Sequence, residues 1–283
     1  MLFYGQIGPS NYMALLSHYG HEPPWSMNNS PHISFVRAIV DGVDISKTPY
    51  ADYIKRVHED ADGKILERRE AVASLILSGI LRVDVQVDSV VDGNHRYAVS
   101  NVLGREVIRN TITPYQTVEY GVGEVFNGRR SCGGRLDEVD VSGRVVLDLG
   151  CSIGMNSVSV AKRGAAHVYA VDVNLTSSSW KLRDSWGLQK RITFLPMDIC
   201  KIKAEDNFLK DCSLVLAMSI HRHIGTGVLE SLIKGKDCLY ETHYHGDSHP
   251  NTGHNWKLMG EVPYSVADNV NVRDVWYGKA RIE

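Results

Sequence analysis

The sequence has few cysteines, almost no net charge and no long apolar run. The cysteines are Cys132, Cys151, Cys200, Cys212 and Cys238, an odd number without a C-x-x-C pair. This pattern argues against a disulfide framework and against a thiolate zinc site, and it favours a reducing, cytoplasmic setting. A net charge of −2 creates no long-range field for nucleic acid, so such a partner would need a local basic patch.

The apolar runs are only as long as strands, and the N-terminus has no basic region followed by an apolar one. We therefore predict neither a membrane-spanning helix nor a signal peptide. The 283 residues, of which 43% are hydrophobic, are enough for one large or two modest domains. No internal repeat or low-complexity tract is present.

A Gly-rich turn after an apolar run is the main signal in the C-terminal half. The run that starts at Val145 contains Asp148 and continues into Gly150-Cys151-Ser152-Ile153-Gly154. A second apolar run, 167–171, ends in Asp172, 24 residues after Asp148 (172 − 148). A Gly-rich turn alone can be purely structural. The second acid at this spacing predicts a nucleoside-cofactor site on a doubly wound sheet, with glycines near the ligand and the acid on a ribose.

The residues of the turn favour one cofactor over another. A dinucleotide site needs G-x-G-x-x-G, whereas Ser152 and Met155 stand at its second and third glycines. Asp148 is poorly placed beside a pyrophosphate but well placed to attract an amino-acid ammonium group. The segment resembles motif I (D-x-G-x-G-x-G) of the class I S-adenosylmethionine methyltransferases, with Ser152 in place of the middle glycine.

The later segments resemble the same family in order, from residue 142 to the C-terminus. The resemblance implies S-adenosylmethionine as cofactor and a Rossmann-like α/β sheet, mostly parallel with an antiparallel last strand. It implies further strands at 168–172, 192–198, 212–218 and 237–241. A closing hairpin is expected over Val270 to Ile282, with Tyr277-Gly278 at its turn. The cofactor-binding residues that the resemblance implies are Asp148, Gly150, Ser152, Gly154, Asp172, Met197, Asp198 and Met218.

A finer resemblance concerns the fourth and fifth strands. Met218 to His223 and Tyr240-Glu241-Thr242 are similar to segments of the tRNA wobble-uridine carboxymethyl-transferases. This resemblance implies tRNA as one class of partner.

The N-terminal half contains a second turn that opens a helix. Two helices are expected between 49 and 79, then one strand over 83–91, and then Asp92 and the turn Gly93-Asn94-His95-Arg96. Free N–H groups at the helix start, with His95 and Arg96, suit a phosphate. The arrangement resembles the ParB/sulfiredoxin-like fold, an α+β domain whose turn holds a nucleotide phosphate or DNA. Asn94 stands where sulfiredoxins have cysteine, so no redox chemistry is implied. The alternative is a simple turn in which Arg96 forms a surface ion pair.

The segment between the two halves is rich in glycine and charge. Arg129, Arg130 and Arg135 either contact phosphates or belong to a solvated connector. In the methyltransferase family the segment before motif I often covers the cofactor, so Tyr120 and Phe126 are candidate lid residues.

Histidines are concentrated after the fourth and fifth strands, where an open parallel sheet binds its ligands. They are His221, His223, His243, His245, His249 and His254. One interpretation is general-base catalysis or substrate binding, the latter by His243 and His245. A second is a metal held by Glu241, His243, His245 and His249. The third, which we favour, is a polar His-rich loop in which one or two histidines contact the substrate, and we predict no metal. Residues 251–256 look like an insertion over the pocket, with Trp256 as a stacking platform.

We predict a ParB/sulfiredoxin-like domain at 1–115, a linker or cofactor lid at 116–141 and a methyltransferase domain at 142–283. The expected acceptor is a nucleotide, a nucleic acid or a phosphorylated small molecule bound between the domains. A hydroxyl or ring-nitrogen acceptor would use His221 or His223 as base, and Arg222 would orient an anionic one.

Three alternatives stay open. In a bifunctional enzyme the N-terminal domain performs its own nucleotide hydrolysis or phosphotransfer, with Glu67, Glu70 and Asp92 as acids. The intact acids and glycines argue against a second alternative, a nucleic-acid-binding protein with a degenerate cofactor site. A dehydrogenase is opposed by Asp148, Ser152 and Met155. The sequence does not define the oligomeric state.

Overall fold

The computed structural model describes residues 1–3, 5–130, 134–265 and 268–281. Cys132 and Ile282 lie outside these ranges. The chain divides into two units: Met1–Thr113 with Asn174–Lys181, and Pro114–Val173 with Leu182–Glu283. No helix in the described ranges combines the length and the apolar character needed to cross a membrane.

In its described residues the N-terminal unit contains five complete α-helices, the first part of the helix Ser177–Ser185 and a three-stranded sheet. Three of the helices have proline in their first turn, where its missing N–H group costs nothing. In the third, the Thr48 hydroxyl accepts the N–H of Ala51 at 3.2 Å and caps the start. The elements are α1 (Pro9–Tyr19), α2 (Pro31–Asp41), α3 (Pro49–Val57), α4 (Ala61–Leu77), β1 (Leu81–Gln86), β2 (Ser89–Asp92), α5 (Asn94–Leu103) and β3 (Val107–Ile112).

The prediction of one strand over 83–91 is wrong, because the segment folds back on itself. Val87 has φ = +58°, a conformation that β-branched residues seldom adopt, and with Asp88 it forms the turn between β1 and β2. Gln86 pairs with Ser89 in the antiparallel register. The alternating valines concealed the turn. Helix α5 then connects β2 to β3, which runs parallel to β1.

The segment 174–181 groups with the N-terminal unit through polar contacts to the β1–β2 turn. The Ser89 hydroxyl lies 3.0 Å from that of Ser177 and also bonds the hydroxyl of Ser178. The Ser178 hydroxyl donates to Asp88 at 2.7 Å, and Lys181 forms an ion pair with the same carboxylate. Nothing in the sequence pattern indicated this return of the chain.

The C-terminal unit contains a seven-stranded sheet of order β11-β12-β10-β9-β6-β7-β8 and a small antiparallel pair, β4 with β5. Strands β6 to β10 are parallel, whereas β12 is antiparallel to β10 and β11 to β12. The strands are β4 (Val118–Glu119), β5 (Val125–Phe126), β6 (Val145–Leu149), β7 (His167–Val171), β8 (Ile192–Leu195), β9 (Leu214–Met218), β10 (Asp237–Glu241), β11 (Asn255–Ser265) and β12 (Asp268–Lys279). The predicted mostly parallel α/β sheet with an antiparallel last strand is confirmed.

Helices connect the parallel strands. They are α6 (Met155–Lys162), α7 (Ser177–Ser185), α8 (Asn207–Asp211), α9 (His221–Ile224) and α10 (Thr226–Ile233). Strand β6 lies between β7 and β9, so the strand order reverses on its two sides. In an open α/β sheet, ligands bind outside the carboxyl ends of the strands at such a switch point. The loops after β6 and β9 therefore mark the expected ligand crevice.

The predicted closing hairpin with its turn at Tyr277-Gly278 is wrong. Both residues lie inside the long strand β12, and the second strand of the hairpin is β11. Gly278 is needed there for packing, because a Cβ atom would lie 2.6 Å from the Trp256 ring. Trp256 belongs to β11 and packs against the core. It is therefore not in an insertion over the pocket, as the sequence suggested.

Candidate functional site

The loop after β6 has an unusual backbone conformation. Gly150, Ser152 and Gly154 all have positive φ angles, of 68°, 54° and 97°. The N–H groups of Gly150 and Cys151 both donate to the Val171 carbonyl, at 2.9 and 3.1 Å. The loop is thus attached to the end of β7 and leads into α6 at Gly154. Such turns bring the backbone close to a ligand at the start of a helix.

Asp148 is buried at the end of β6 and has one unsatisfied oxygen. Its Oδ2 accepts the Ser157 hydroxyl at 2.6 Å, whereas Oδ1 has no hydrogen-bond partner among the described residues. Burial raises the pKa of Asp148 to about 6, with the Ser157 hydroxyl opposing the shift and the charge of Asp172 adding to it. A buried carboxylate oxygen without a donor is costly, so this atom requires a ligand or water.

Asp172 follows β7 and lies beside the loop. Its Oδ2 accepts the N–H of Ser152 at 2.8 Å, which explains why the loop adopts its conformation at that residue. Asp172 therefore has a second role besides the predicted ribose contact, since it also holds the loop in place.

The other predicted cofactor residues follow β8 and β9. Met197 is half-buried and packs against the apolar core. Asp198 caps a short helical turn, because its Oδ1 accepts the N–H of Cys200 at 2.9 Å. Met218 ends β9 and lines a small cavity together with Gly150. All lie at the carboxyl edge of the sheet, as the switch-point rule requires.

These features define a class of protein: a doubly wound α/β enzyme that binds a nucleoside cofactor beside β6. The residues fit S-adenosylmethionine, because the free Oδ1 of Asp148 suits an ammonium group and the acid after β7 suits a ribose. Residues 135–224 match the family model of FtsJ-like methyltransferases, which covers less than half of the chain. The chain is accordingly a methyltransferase with S-adenosylmethionine as its cofactor.

Solved structures similar to the chain include two methyltransferases. One is the S-adenosylmethionine-dependent methyltransferase of Mesorhizobium loti, with 18% identity, 40% of this chain and 54% of that chain covered, and a TM-score of 0.32. The other is the 1,6-didemethyltoxoflavin-N1-methyltransferase of Burkholderia thailandensis with bound S-adenosylhomocysteine, with 14% identity, coverage of 50% and 72%, and a TM-score of 0.37. No curated protein sequence matches significantly. Because these scores are low, the assignment rests on the family match and the geometry.

The predicted catalytic residues form α9, directly after β9. Both ring nitrogens of His221 are hydrogen bonded, Nδ1 to the Tyr240 hydroxyl and Nε2 to the Thr226 hydroxyl, each at 2.9 Å. His223 is exposed, with its ring 5.3 Å from that of His243. Arg222 contacts both oxygens of Asp247 at 3.2 Å. The structure thus brings His223 and His243 together and gives His221 a fixed orientation.

The histidines after β10 divide into separate environments. Burial, with Arg273 and His223 nearby, lowers the pKa of His243 to about 4, so its ring is neutral at neutral pH. The Nδ1–H group of His245 donates to Asp274 at 2.9 Å, and the hydrogen bond to this acid raises the pKa of His245. His249 stacks on Trp256, and His254 bonds the Lys236 carbonyl at 2.7 Å. The latter two have structural roles.

The four residues considered from the sequence as metal ligands do not come together as one group in the described structure. Glu241 is buried in an ion cluster with arginines, whereas His245 lies near the acids Glu261 and Asp274. Ligating atoms of His245, Glu261 and Asp274 lie within 4.8 Å of one another. Two of the three, His245 and Glu261, are exposed, and exposed acidic groups of this kind are common without an ion.

A buried ion cluster surrounds Glu241 at the end of β10. Glu241 is fully buried and pairs with Arg130, with Arg135 and, at 3.2 Å, with Arg273. Ser219, whose backbone φ angle is +58°, also donates a hydrogen bond from its hydroxyl to Glu241. The interpretation of Arg130 and Arg135 as part of a solvated connector is wrong, since both are buried.

Of the predicted lid residues, Tyr120 directly follows β4 and Phe126 ends β5. Tyr120 is completely buried and makes an edge-to-face contact with Phe126 at 6.0 Å. The Tyr120 ring therefore contributes to the packing of this segment. Whether the segment covers the cofactor stays a prediction.

The N-terminal unit has its own cavity of about 670 Å³ beside the Gly93–Arg96 turn. His95 bonds the Tyr50 hydroxyl at 2.9 Å; burial, followed by the charge of Arg68, lowers its pKa to about 4. Arg96 forms an ion pair with Asp92, the alternative considered from the sequence. Helix α5 begins without a side-chain cap, so its first N–H groups suit an anion. Arg68 lines the cavity as well, and the sequence pattern gave no sign of it.

The candidate acids for separate nucleotide chemistry are paired or lie elsewhere. Glu67 forms ion pairs with Lys64 and Arg68, and Asp92 pairs with Arg96. Glu70 is exposed and does not line the cavity. No observation favours catalysis by the N-terminal unit.

Proposed function

We propose that the chain transfers a methyl group from S-adenosylmethionine to a nucleotide, a nucleic acid or a phosphorylated small molecule. The observation that carries the proposal is the unsatisfied, buried Oδ1 of Asp148 beside a Gly-rich loop at the switch point of the sheet. The two halves of the proposal, the cofactor site and the anion site, depend on different units and are tested separately.

The cofactor-binding residues have distinct roles in this proposal. Asp148 holds the ammonium group of the methionine portion, and the carboxylate of Asp172 accepts the ribose hydroxyls while it fixes Ser152. Met197 and Asp198 flank the adenine. Gly150, Ser152 and Gly154 provide close backbone approach, and Met218 contacts the methionine portion.

The cofactor supplies an activated methyl group on a sulfonium. In the transfer, the bond from this carbon to sulfur breaks as the bond to the acceptor forms, and S-adenosylhomocysteine is released. A hydroxyl or ring-nitrogen acceptor must also lose one proton. His223 is the better base, because both nitrogens of His221 already have partners and orient α9.

Arg222 and the histidines after β10 orient the acceptor. Arg222 packs over the Tyr244 ring, 4.5 Å from its centroid, and is held by Asp247. An anionic acceptor would be positioned by this guanidinium without needing a base. His243, which is neutral, and His245 contribute hydrogen bonds to the acceptor.

The cavity of the N-terminal unit binds a phosphate group. Gly93, Asn94, His95 and Arg96 form its base at the start of α5, and Arg68 adds positive charge. The supporting observations are the volume, the uncapped helix start and the two arginines. We also propose that this unit has a ParB/sulfiredoxin-like fold and that 116–141 acts as a linker or lid.

Replacing Asp172 with alanine is expected to abolish measurable S-adenosylmethionine binding in calorimetry, because both the ribose contact and the support of Ser152 are lost. Asp172→Asn keeps an oxygen for the Ser152 N–H group and should retain weak binding, reduced roughly tenfold or more. If neither variant differs from the wild type, the ribose is bound elsewhere. If the wild type binds NAD instead of S-adenosylmethionine, the methyltransferase proposal fails.

Replacing Arg68 with glutamine is expected to weaken binding of adenosine monophosphate to the N-terminal cavity roughly tenfold, because a charge-assisted hydrogen bond is lost. The neighbouring, exposed Arg69→Gln is the matched control and should bind like the wild type. The measurement is calorimetry with the full chain. Equal affinity of all three proteins, or no binding, contradicts the anion site, whereas release of inorganic phosphate would support the bifunctional alternative.

A further inference from the structure

A small polar cavity of about 20 Å³ lies beside the cofactor loop of the C-terminal unit. Gly150 and Met218, both proposed cofactor residues, line it together with Arg130, Asn156 and Glu241. The volume is sufficient for about one water-sized group, such as one oxygen of a carboxylate. Arg130 is 6% exposed and Asn156 is 4% exposed, so both polar side chains are almost fully removed from solvent.

Arg130 has an unused donor in this cavity wall. Its Nη1 donates to the Tyr115 hydroxyl at 2.6 Å and its Nη2 donates to Glu241. Its Nε–H group is buried and bonds no atom in the described ranges of the chain. The single negative charge of Glu241 is also shared with Arg135 and Arg273. A buried guanidinium with an unused N–H group and a shared counterion is a strong site for an additional anion.

Unused acceptors accompany this donor. The Oδ1 atom of Asn156 is buried and lacks a hydrogen bond to any residue that the structure describes. The Oδ1 atom of Asp148, which precedes Gly150 in the sequence, also lacks a hydrogen bond to any described residue. A phosphate would satisfy the donor but would repel both acceptors. A group that carries a carboxylate and an ammonium together offers a matching partner to the donor and to the acceptors.

We propose that Arg130 binds the α-carboxylate of the methionine portion of S-adenosylmethionine through its Nε–H group. Asn156 and Asp148 accept the hydrogens of the adjacent ammonium. Glu241 acts as a positioning residue, because it holds Arg130 in place from the opposite side. The proposal rests on the cofactor site proposed above and assigns it a carboxylate-binding residue from the segment before β6.

The test compares S-adenosylmethionine with decarboxylated S-adenosylmethionine, which lacks only the α-carboxylate, by calorimetry on the full chain. The wild type should prefer S-adenosylmethionine roughly tenfold or more, the effect of one charge-assisted hydrogen bond. Arg130→Lys keeps the charge but loses the Nε–H group. In this variant the ratio of the two affinities should fall towards one. The adjacent exposed Arg129→Lys is the matched control and should keep the wild-type preference.

The outcomes are distinguishable. Equal binding of both compounds by the wild type overturns the proposal without any variant, and it leaves the cavity to water or to an acceptor carboxylate. A preference that Arg130→Lys retains also overturns it, because another residue then binds the carboxylate. If the wild type binds neither compound, the cofactor site itself is refuted. Thermal unfolding of each variant verifies that the comparison is made on folded protein.

Discussion

Replacing Glu241 with glutamine is expected to lower the free energy of unfolding by about 3–5 kcal/mol, the effect of removing one partner from a buried ion pair. The substitution keeps the size of the side chain but removes the negative charge that Arg130, Arg135 and Arg273 share. All three guanidinium groups are buried, so water cannot replace that charge. Urea denaturation followed by circular dichroism measures the loss.

Glu261→Gln is the matched control. Glu261 is exposed and only 3.7 Å from His245, so its replacement should change the free energy of unfolding by less than about 0.5 kcal/mol. If Glu241→Gln is equally mild, the charge of Glu241 is not what holds the three arginines in place.

The stability that Glu241 contributes should depend on pH. Burial alone would raise its pKa, but Arg135 and Arg130, together with the Ser219 hydroxyl, lower it to about 2 from the ordinary value of 4.5. A lowered pKa means that the contribution is fully present above 4.5 and is lost as the pH falls towards 2. The difference in stability between the wild type and Glu241→Gln should therefore shrink over this range.

The strands of the parallel sheet were accessible from the sequence because burial on both faces produces continuous apolar runs. The strand predicted at 237–241 coincides with β10, and the acids Asp148 and Asp172 lie at adjacent strand ends as predicted. The antiparallel part was harder to predict. Tyr277-Gly278 resembles a turn locally, yet Gly278 serves to accommodate the Trp256 ring of the neighbouring strand.

The ion cluster could not be predicted because its members are far apart in the chain. Arg135 and Glu241 are separated by 106 residues, and Arg130 and Glu241 by 111. A local pattern of glycine and arginine is typical of a solvated connector, and only tertiary contacts show that these arginines are buried. The Val87 turn escaped prediction for a related reason: the surrounding structure imposes a backbone conformation that valine disfavours.

Replacing Gly154 with alanine is expected to reduce S-adenosylmethionine affinity roughly tenfold or more and to destabilise the fold. Gly154 has φ = +97° at the start of α6, and an added Cβ would lie 2.8 Å from two atoms of the buried Phe194 ring. The backbone conformation costs about 1–2 kcal/mol for any L-residue, and overpacking adds about 1–3 kcal/mol. Relief of the clash must displace either the buried Phe194 ring or the loop and α6, and displacement of the loop also moves the Ser152 N–H group that Asp172 holds. Calorimetry and thermal unfolding measure the two effects.

Gly143→Ala separates the backbone effect from the contact with Phe194. Gly143 also has a positive φ, +67°, but nothing lies within 4 Å of the position of its Cβ. This variant should lose only about 1–2 kcal/mol of stability and should bind S-adenosylmethionine like the wild type. If Gly154→Ala also binds normally, the loop tolerates displacement, and the cofactor does not depend on close approach of the backbone at this glycine. Selective loss of affinity in Gly154→Ala would instead tie the packing of Phe194 to the geometry of the cofactor loop.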